Sequence, residues 1–175
     1  MPVSEGKRQS GFLLARGNAL RWALLPALFL ACAPSLFALP HWVWKAGRQP
    51  GSQLVLQHTF KVDPGFKSAY LRSVADFATA RLSINGKPAG TAEAYGPVLE
   101  LDVTALLKPG ANEVTLTCRS VGGSPAVALQ LDIVDGGGVK RVISTTPEWK
   151  ELRSGAGVES YGDLGLEKWW GLAPL

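Results

Sequence analysis

From residue 53 onward apolar side chains recur at every second position, the period of a strand with one buried face. In "QLVLQHTFKV" the series Leu54, Leu56, His58, Phe60, Val62 alternates with Val55, Gln57, Thr59 and Lys61, so one face is mostly apolar. Similar short runs occupy residues 69–76, 80–85, 98–103, 112–121, 126–134 and 139–145. Between them stand Asp63-Pro64-Gly65, Asn85-Gly86, Lys108-Pro109-Gly110, Gly122-Gly123 and Asp135-Gly136-Gly137-Gly138, which are turn formers at close, fairly regular spacing. No helical period outlasts one turn. The pattern predicts an all-β chain folded as an antiparallel β-sandwich or jelly roll.

Two stretches define its corners. "LSINGKPAG" (82–90) runs an alternating strand into Asn85-Gly86, a pair that tolerates the positive φ of a tight hairpin turn, so the strand ending at Ile84 doubles back. In "LDVTALLKPGANEVTL" Asp102 and Thr104 can cap about one helical turn, which Pro109-Gly110 ends before the next strand starts near Asn112. Leu106 and Leu107 are then placed to plug an end of the sandwich.

The N-terminus follows other rules. Lys7, Arg8, Arg16 and Arg21 precede the uncharged run "WALLPALFLACAPSLFA" (22–38). It contains Pro26 and Pro34 and is shorter than a membrane-spanning helix needs, which is the layout of a secretory signal-peptide helix over residues 1–38. Cleavage after Ala38 is the approximate expectation, Leu36 being larger than such sites favour. An uncleaved segment would be a membrane anchor. "LFLAC" resembles a bacterial lipoprotein box that would lipidate Cys32, although Leu30 fits that box poorly. A secreted, periplasmic or cell-surface bacterial protein is expected. Removal of the leader takes most of the formal +4 charge with it, leaving 14 basic against 13 acidic residues, so the basic balance does not point to nucleic acid. It also leaves Cys118 alone, on the same face as Val114 and Leu116, as a small buried hydrophobe without a disulfide partner.

"YLRSVADFATARLSINGKPAG", "LELDVTALLKPGANEVTL", "ALQLDIVDGG" and "ISTTPEWK" together resemble the galactose-binding-domain-like β-sandwich modules of secreted bacterial glycoside hydrolases, such as α-L-rhamnosidases and the β-galactosidase/glucuronidase group. The resemblance covers about residues 42–152 and implies a module at 39–153 followed by a Gly-rich linker and Trp-rich tail at 154–175. Asp76, Asn85-Gly86, Asp102-Val103-Thr104, Pro109-Gly110, Asn112 and Trp149 look like the family's recurring positions, most of them builders of turns and corners. Modules of this kind bind sugars, pack against a catalytic domain, or do only the latter. No catalytic barrel follows the module here, so a non-enzymatic role is the expectation.

The chemistry-bearing residues agree with that. A glycosidase needs two carboxylates facing each other across a sugar, and Asp76, Glu100, Asp102 and Asp132 qualify only by being acidic. His41 and His58 lie far apart, with neither Cys nor carboxylate at ligand spacing, which speaks against zinc. There is no Cys-x-x-Cys-His for haem, no Gly-x-Gly-x-x-Gly opening a helix and no Gly-x-Ser-x-Gly elbow. No cofactor is expected beyond a structural Ca²⁺ of the kind some sugar-binding sandwiches hold in a loop. Aromatics remain. Trp42 and Trp44, two apart on one strand, and Trp149 are candidate sugar platforms, with Asp76 and Asn85 as polar partners; the alternative is that these tryptophans close the core. Trp169-Trp170 cannot both face one core and are candidates for docking a partner or a catalytic domain. A carbohydrate-binding or accessory module is the main expectation, and a protein-interaction sandwich that binds no sugar is the alternative.

Overall fold

Leu54, Leu56, Phe60 and Val62 all turn inward from β2 (Gln53–Val62), and every residue of that strand finds an antiparallel partner on β7 (Gly110–Ser120), from Gln53 against Arg119 to Val62 against Gly110. This long central pair exists because both sequences keep a strict two-residue period over about ten residues. A computed structural model describes residues 39–164 of the chain. On the far side of β7 lie β4 (Ala78–Ile84) and the edge strand β5 (Lys87–Ala92), while β10 (Lys150–Glu151) caps the other edge, giving the order β10-β2-β7-β4-β5. Cross-strand rows such as Leu56, Leu116 and Leu82 present one apolar surface.

The second sheet runs β11 (Glu159–Asp163), β1 (His41–Trp44), β8 (Ala126–Val134), β3 (Ser68–Asp76), β6 (Leu99–Asp102), and β9 (Lys140–Ser144) also pairs with β8. β1 meets β8 at Val127, whereas β9 pairs with β8 over Gln130 to Val134, so both lie along one side of β8. Thr145 fastens the junction: its Oγ1 accepts from Leu129 N–H at 3.1 Å and donates to the His41 carbonyl at 2.8 Å. All pairings between these strands are antiparallel, and the inward faces of both sheets share one apolar core. Each fully buried Leu in it contributes about 2 kcal/mol. The fold is thus the expected antiparallel sandwich; the signal-peptide helix, Cys32, Trp169 and Trp170 lie outside the described residues.

Three local expectations change. The turn after β6 is a short 3-10 turn, Thr104–Leu106, in which Asp102 Oδ1 accepts Thr104 N–H at 2.9 Å, while Thr104 Oγ1 instead accepts Ala69 N–H from β3. The expected linker does not begin at Ser154, because β11 pairs with β1 and Leu164 is fully buried. Tertiary pairing overrides the Gly-rich composition there. Finally, Trp42 and Trp44 do not share an environment. Trp44 enters the main core, whereas Trp42 packs with Val74, Ala128 and Leu164 in a second cluster. Alternation along β3 and β8 puts Val74 and Ala128 on the face opposite the main core. The register of β1 against β11 shifts between His41 and Val43, a bulge of the kind that re-aims side chains.

Candidate functional site

Burial removes two of the candidate sugar platforms. Trp44 is fully buried and its Nε1 donates to Ser52 Oγ at 3.1 Å. Trp149 is 1% exposed, donates from Nε1 to the Ser144 carbonyl at 2.9 Å, and stacks on His58 with ring centroids 4.9 Å apart. Neither indole offers a free face, because both were long enough to bridge the sheets and each found a partner for its N–H.

Asn85 is excluded for another reason: its side chain is fully used. Its backbone holds φ of 51° beside Gly86 at 75°, the pair of left-handed residues that a tight hairpin requires. Its Nδ2 donates to the Leu106 carbonyl at 2.9 Å and to Asn112 Oδ1 at 2.8 Å, and its Oδ1 accepts Glu113 N–H at 3.1 Å. Asn112, 2% exposed, completes the corner by donating to the carbonyls of Lys108 and Gly110 and accepting Lys108 N–H. Hairpin, 3-10 turn and β7 are thereby clasped together.

Trp42 and Asp76 are the two sequence candidates that the fold brings together. β1 and β3 flank β8, and Asp76 ends β3 directly opposite Ala126 at the start of β8. A cleft of about 200 Å³ opens there, lined by Trp42, Arg48, Asp76, Ala126 and Tyr161. Arg48 arrives from the loop after β1 with φ of 39°, donates from Nε to the Pro125 carbonyl at 2.9 Å and from Nη2 to the Ser124 carbonyl, and lays its guanidinium 4.3 Å from the centre of the Tyr161 ring. Tyr161 donates to Glu159 Oε2 at 2.7 Å, and burial together with that hydrogen bond pushes its pKa up to about 12, so it remains a neutral phenol at physiological pH. Asp76 differs from its neighbours. It is half-buried, yet among the described residues its carboxylate makes no hydrogen bond or ion pair with protein, leaving acceptor oxygens available in the cleft. Arg48 and Tyr161 escaped the sequence reading. One sits in a loop without periodicity, and the other in the stretch read as linker.

The remaining acids have other roles. Asp132, deep on β8, accepts from Arg72 at 2.8 Å, Lys140 at 2.9 Å and Gln130 at 2.8 Å. Hydrogen bonds from Thr104 hold the exposed Asp102 below its usual carboxylate value, and Glu100 faces solvent. Asp76 is the one acid among the cleft-lining residues. Burial pushes the Cys118 thiol far above its ordinary pKa, which makes it inert. His41 bonds Ser160 and pairs with Asp163 across the β1–β11 seam, remote in the fold's pairing scheme from His58 on the other sheet. Among the described residues no group of three or more His, Cys, Asp or Glu converges on a common point as metal binding would require.

The same antiparallel two-sheet sandwich occurs as a part of several larger solved structures. It superposes on part of an α-L-rhamnosidase from Streptomyces avermitilis, solved with L-rhamnose, with a TM-score of 0.65 at 15% identity, covering 74% of this chain and 15% of that one. A lectin from Pleurotus ostreatus, solved in complex with GalNAc, matches with a TM-score of 0.62 at 16% identity over 71% of this chain and 44% of the lectin. A rhamnosidase from Bacillus sp. GL1 gives 0.59 at 16% identity, over 74% of this chain and 19% of that one. The chain therefore spans less than half the length of each of these structures. No family model matches it, and no curated protein does.

Proposed function

We propose that the protein is a secreted, non-catalytic carbohydrate-binding module whose site is the cleft between Trp42, Arg48, Asp76 and Tyr161. The observation that carries this reading is Asp76: a half-buried carboxylate, unengaged among the described residues, at the mouth where three strands end. A pair of sugar hydroxyls can donate to its two oxygens, beside the Arg48 and Tyr161 side chains that line the same cleft. Hydrolysis of a glycoside would require a second carboxylate across the sugar, and the cleft lining supplies one acid. The sugar ligands of the rhamnosidase and lectin structures support this choice of ligand class by fold-level analogy alone. Secretion rests on the N-terminal leader pattern.

Titration calorimetry of the purified chain with L-rhamnose, N-acetylgalactosamine and their oligosaccharides tests the reading. Saturable binding that falls at least tenfold in Asp76→Asn, with the unfolding midpoint unchanged, is the expected result. Undiminished binding by that variant would displace the site from the cleft. Failure of the folded chain to bind any glycan would transfer support to the docking reading.

A further inference from the structure

A second cleft lies on the other sheet. It has a volume of about 420 Å³ and opens where the two-residue strand β10 pairs with the middle of β2, with Gln57, His58, Thr59, Glu148 and Lys150 along its walls. β10 pairs only with Leu56 and Gln57, so the edge of the ten-residue β2 beyond that point is left without a strand partner from β10. His58 takes an inward-facing place in the alternation but is only half-buried, because its imidazole lies nearly parallel to the buried Trp149 indole, at 10° and 4.9 Å. The indole thus backs a flat polar ring at the cleft.

The polar atoms of these five side chains are not engaged by protein among the described residues, although the His58 ring is held by its stack on Trp149. Among the described residues the Gln57 amide, the His58 nitrogens, the Thr59 hydroxyl, the Glu148 carboxylate and the Lys150 ammonium make no hydrogen bond or ion pair with protein. They differ in this from Glu151 on the same rim, which accepts Ser154 N–H. Burial, reinforced by Arg141, lowers the His58 pKa, with Glu148 acting in the opposite direction, so the ring at neutral pH is a donor–acceptor pair rather than a cation. Gln57, His58 and Thr59 each both donate and accept, and the lining holds two carboxylates, Glu148 and Glu151, against the one ammonium of Lys150. Such a set is poorly matched to an anionic ligand. It suits one in which every group both donates and accepts, as the hydroxyls of a neutral saccharide do.

We propose that this cleft is a second binding site, for neutral polyhydroxylated ligands, separate from the Asp76 cleft and on the opposite sheet. Two sites on one small module would let it bridge two glycan chains or hold one chain with added avidity. The inference does not depend on the Asp76 reading, and the test separates them.

The chain has two histidines, so its imidazole ring protons give two resolvable sets of NMR signals, and His58→Gln assigns one of them. Maltose, cellobiose and lactose are titrated into the full chain, with galacturonic acid as the charged comparison. The expected result is a saturable shift of the His58 ring protons with at least one neutral disaccharide. That shift should weaken at least fivefold in Gln57→Ala/Thr59→Ala, a surface pair whose loss leaves the unfolding midpoint in place, and persist in Asp76→Asn. No shift with any neutral probe, a shift with galacturonic acid alone, or a shift that survives the Gln57→Ala/Thr59→Ala change would overturn the proposal. A shift that vanishes in Asp76→Asn would also overturn it, by assigning the effect to the first cleft.

Discussion

The Asn85–Asn112 corner and the Trp42–Asp76 cleft are both polar spots at the ends of strands, and they treat hydrogen bonds in opposite ways. At the corner every side-chain donor of both asparagines is used, and Asn112 is almost wholly buried. In the cleft Asp76 is half-buried and keeps its acceptors. A saturated polar group holds the fold together, since leaving it unpaired in the interior would cost free energy; an unsaturated one beside water costs little and stays available to a ligand. The saturation of a polar residue therefore separates scaffold from site better than its residue type does.

The strongest way to break this contrast is Asn112→Ala. It removes a buried side chain that bonds the Asn85 amide and the backbone groups of Lys108 and Gly110, and the expected loss is about 2 kcal/mol. Urea unfolding checks it, and a loss below about 0.5 kcal/mol would mean that water replaces the clasp without penalty. Gly86→Val comes next. A Cβ at Gly86 would meet nothing within 4 Å, so its whole cost is the left-handed backbone at φ of 75°. About 2 kcal/mol is expected for a β-branched residue there. Gly86→Asn, which tolerates that conformation, should recover most of it.

How much of this could be read beforehand follows from what each residue answers to. β2 and β8 are legible to the residue, because alternation responds to a single boundary between core and water. The Asn-Gly hairpin is legible because left-handed φ restricts residue choice directly. β11 is not, since a strand with Gly and Ser on a sheet edge is made by its neighbour's open hydrogen bonds rather than by its own propensity. The cleft was half legible. Asp76 and Trp42 stood out as residue types, but Arg48 reaches the cleft through a loop, and the burial of Trp44 and Trp149 depends on what lies across the sandwich. Residue type alone could not separate Asn85 from Asp76 because both are short polar side chains at turns. Only the partners distinguish them.

Asp76→Asn sharpens the comparison from the site's side. With no protein partner among the described residues to lose, its effect on stability should stay within about 0.5 kcal/mol, while glycan binding is lost. Large destabilisation would show that Asp76 belongs with the corner rather than with the cleft.

The smallest effect belongs to Asp102, an exposed carboxylate that is nevertheless engaged. Hydrogen bonds from Thr104 stabilise its ionised form and hold the folded-state pKa below the ordinary 3.8. A carboxyl whose pKa is depressed on folding contributes stability at pH values above its unfolded pKa, and this contribution is lost as the pH falls through the folded one. The unfolding midpoints of wild type and Asp102→Asn should therefore differ slightly at pH 6 and converge only below the ordinary carboxylate range. Because Asn can still accept Thr104 N–H, the pH-dependent part of the difference isolates the charge from the hydrogen bond. A gap that persists unchanged into acid would mean that the charge is irrelevant, leaving the turn held by acceptor geometry alone.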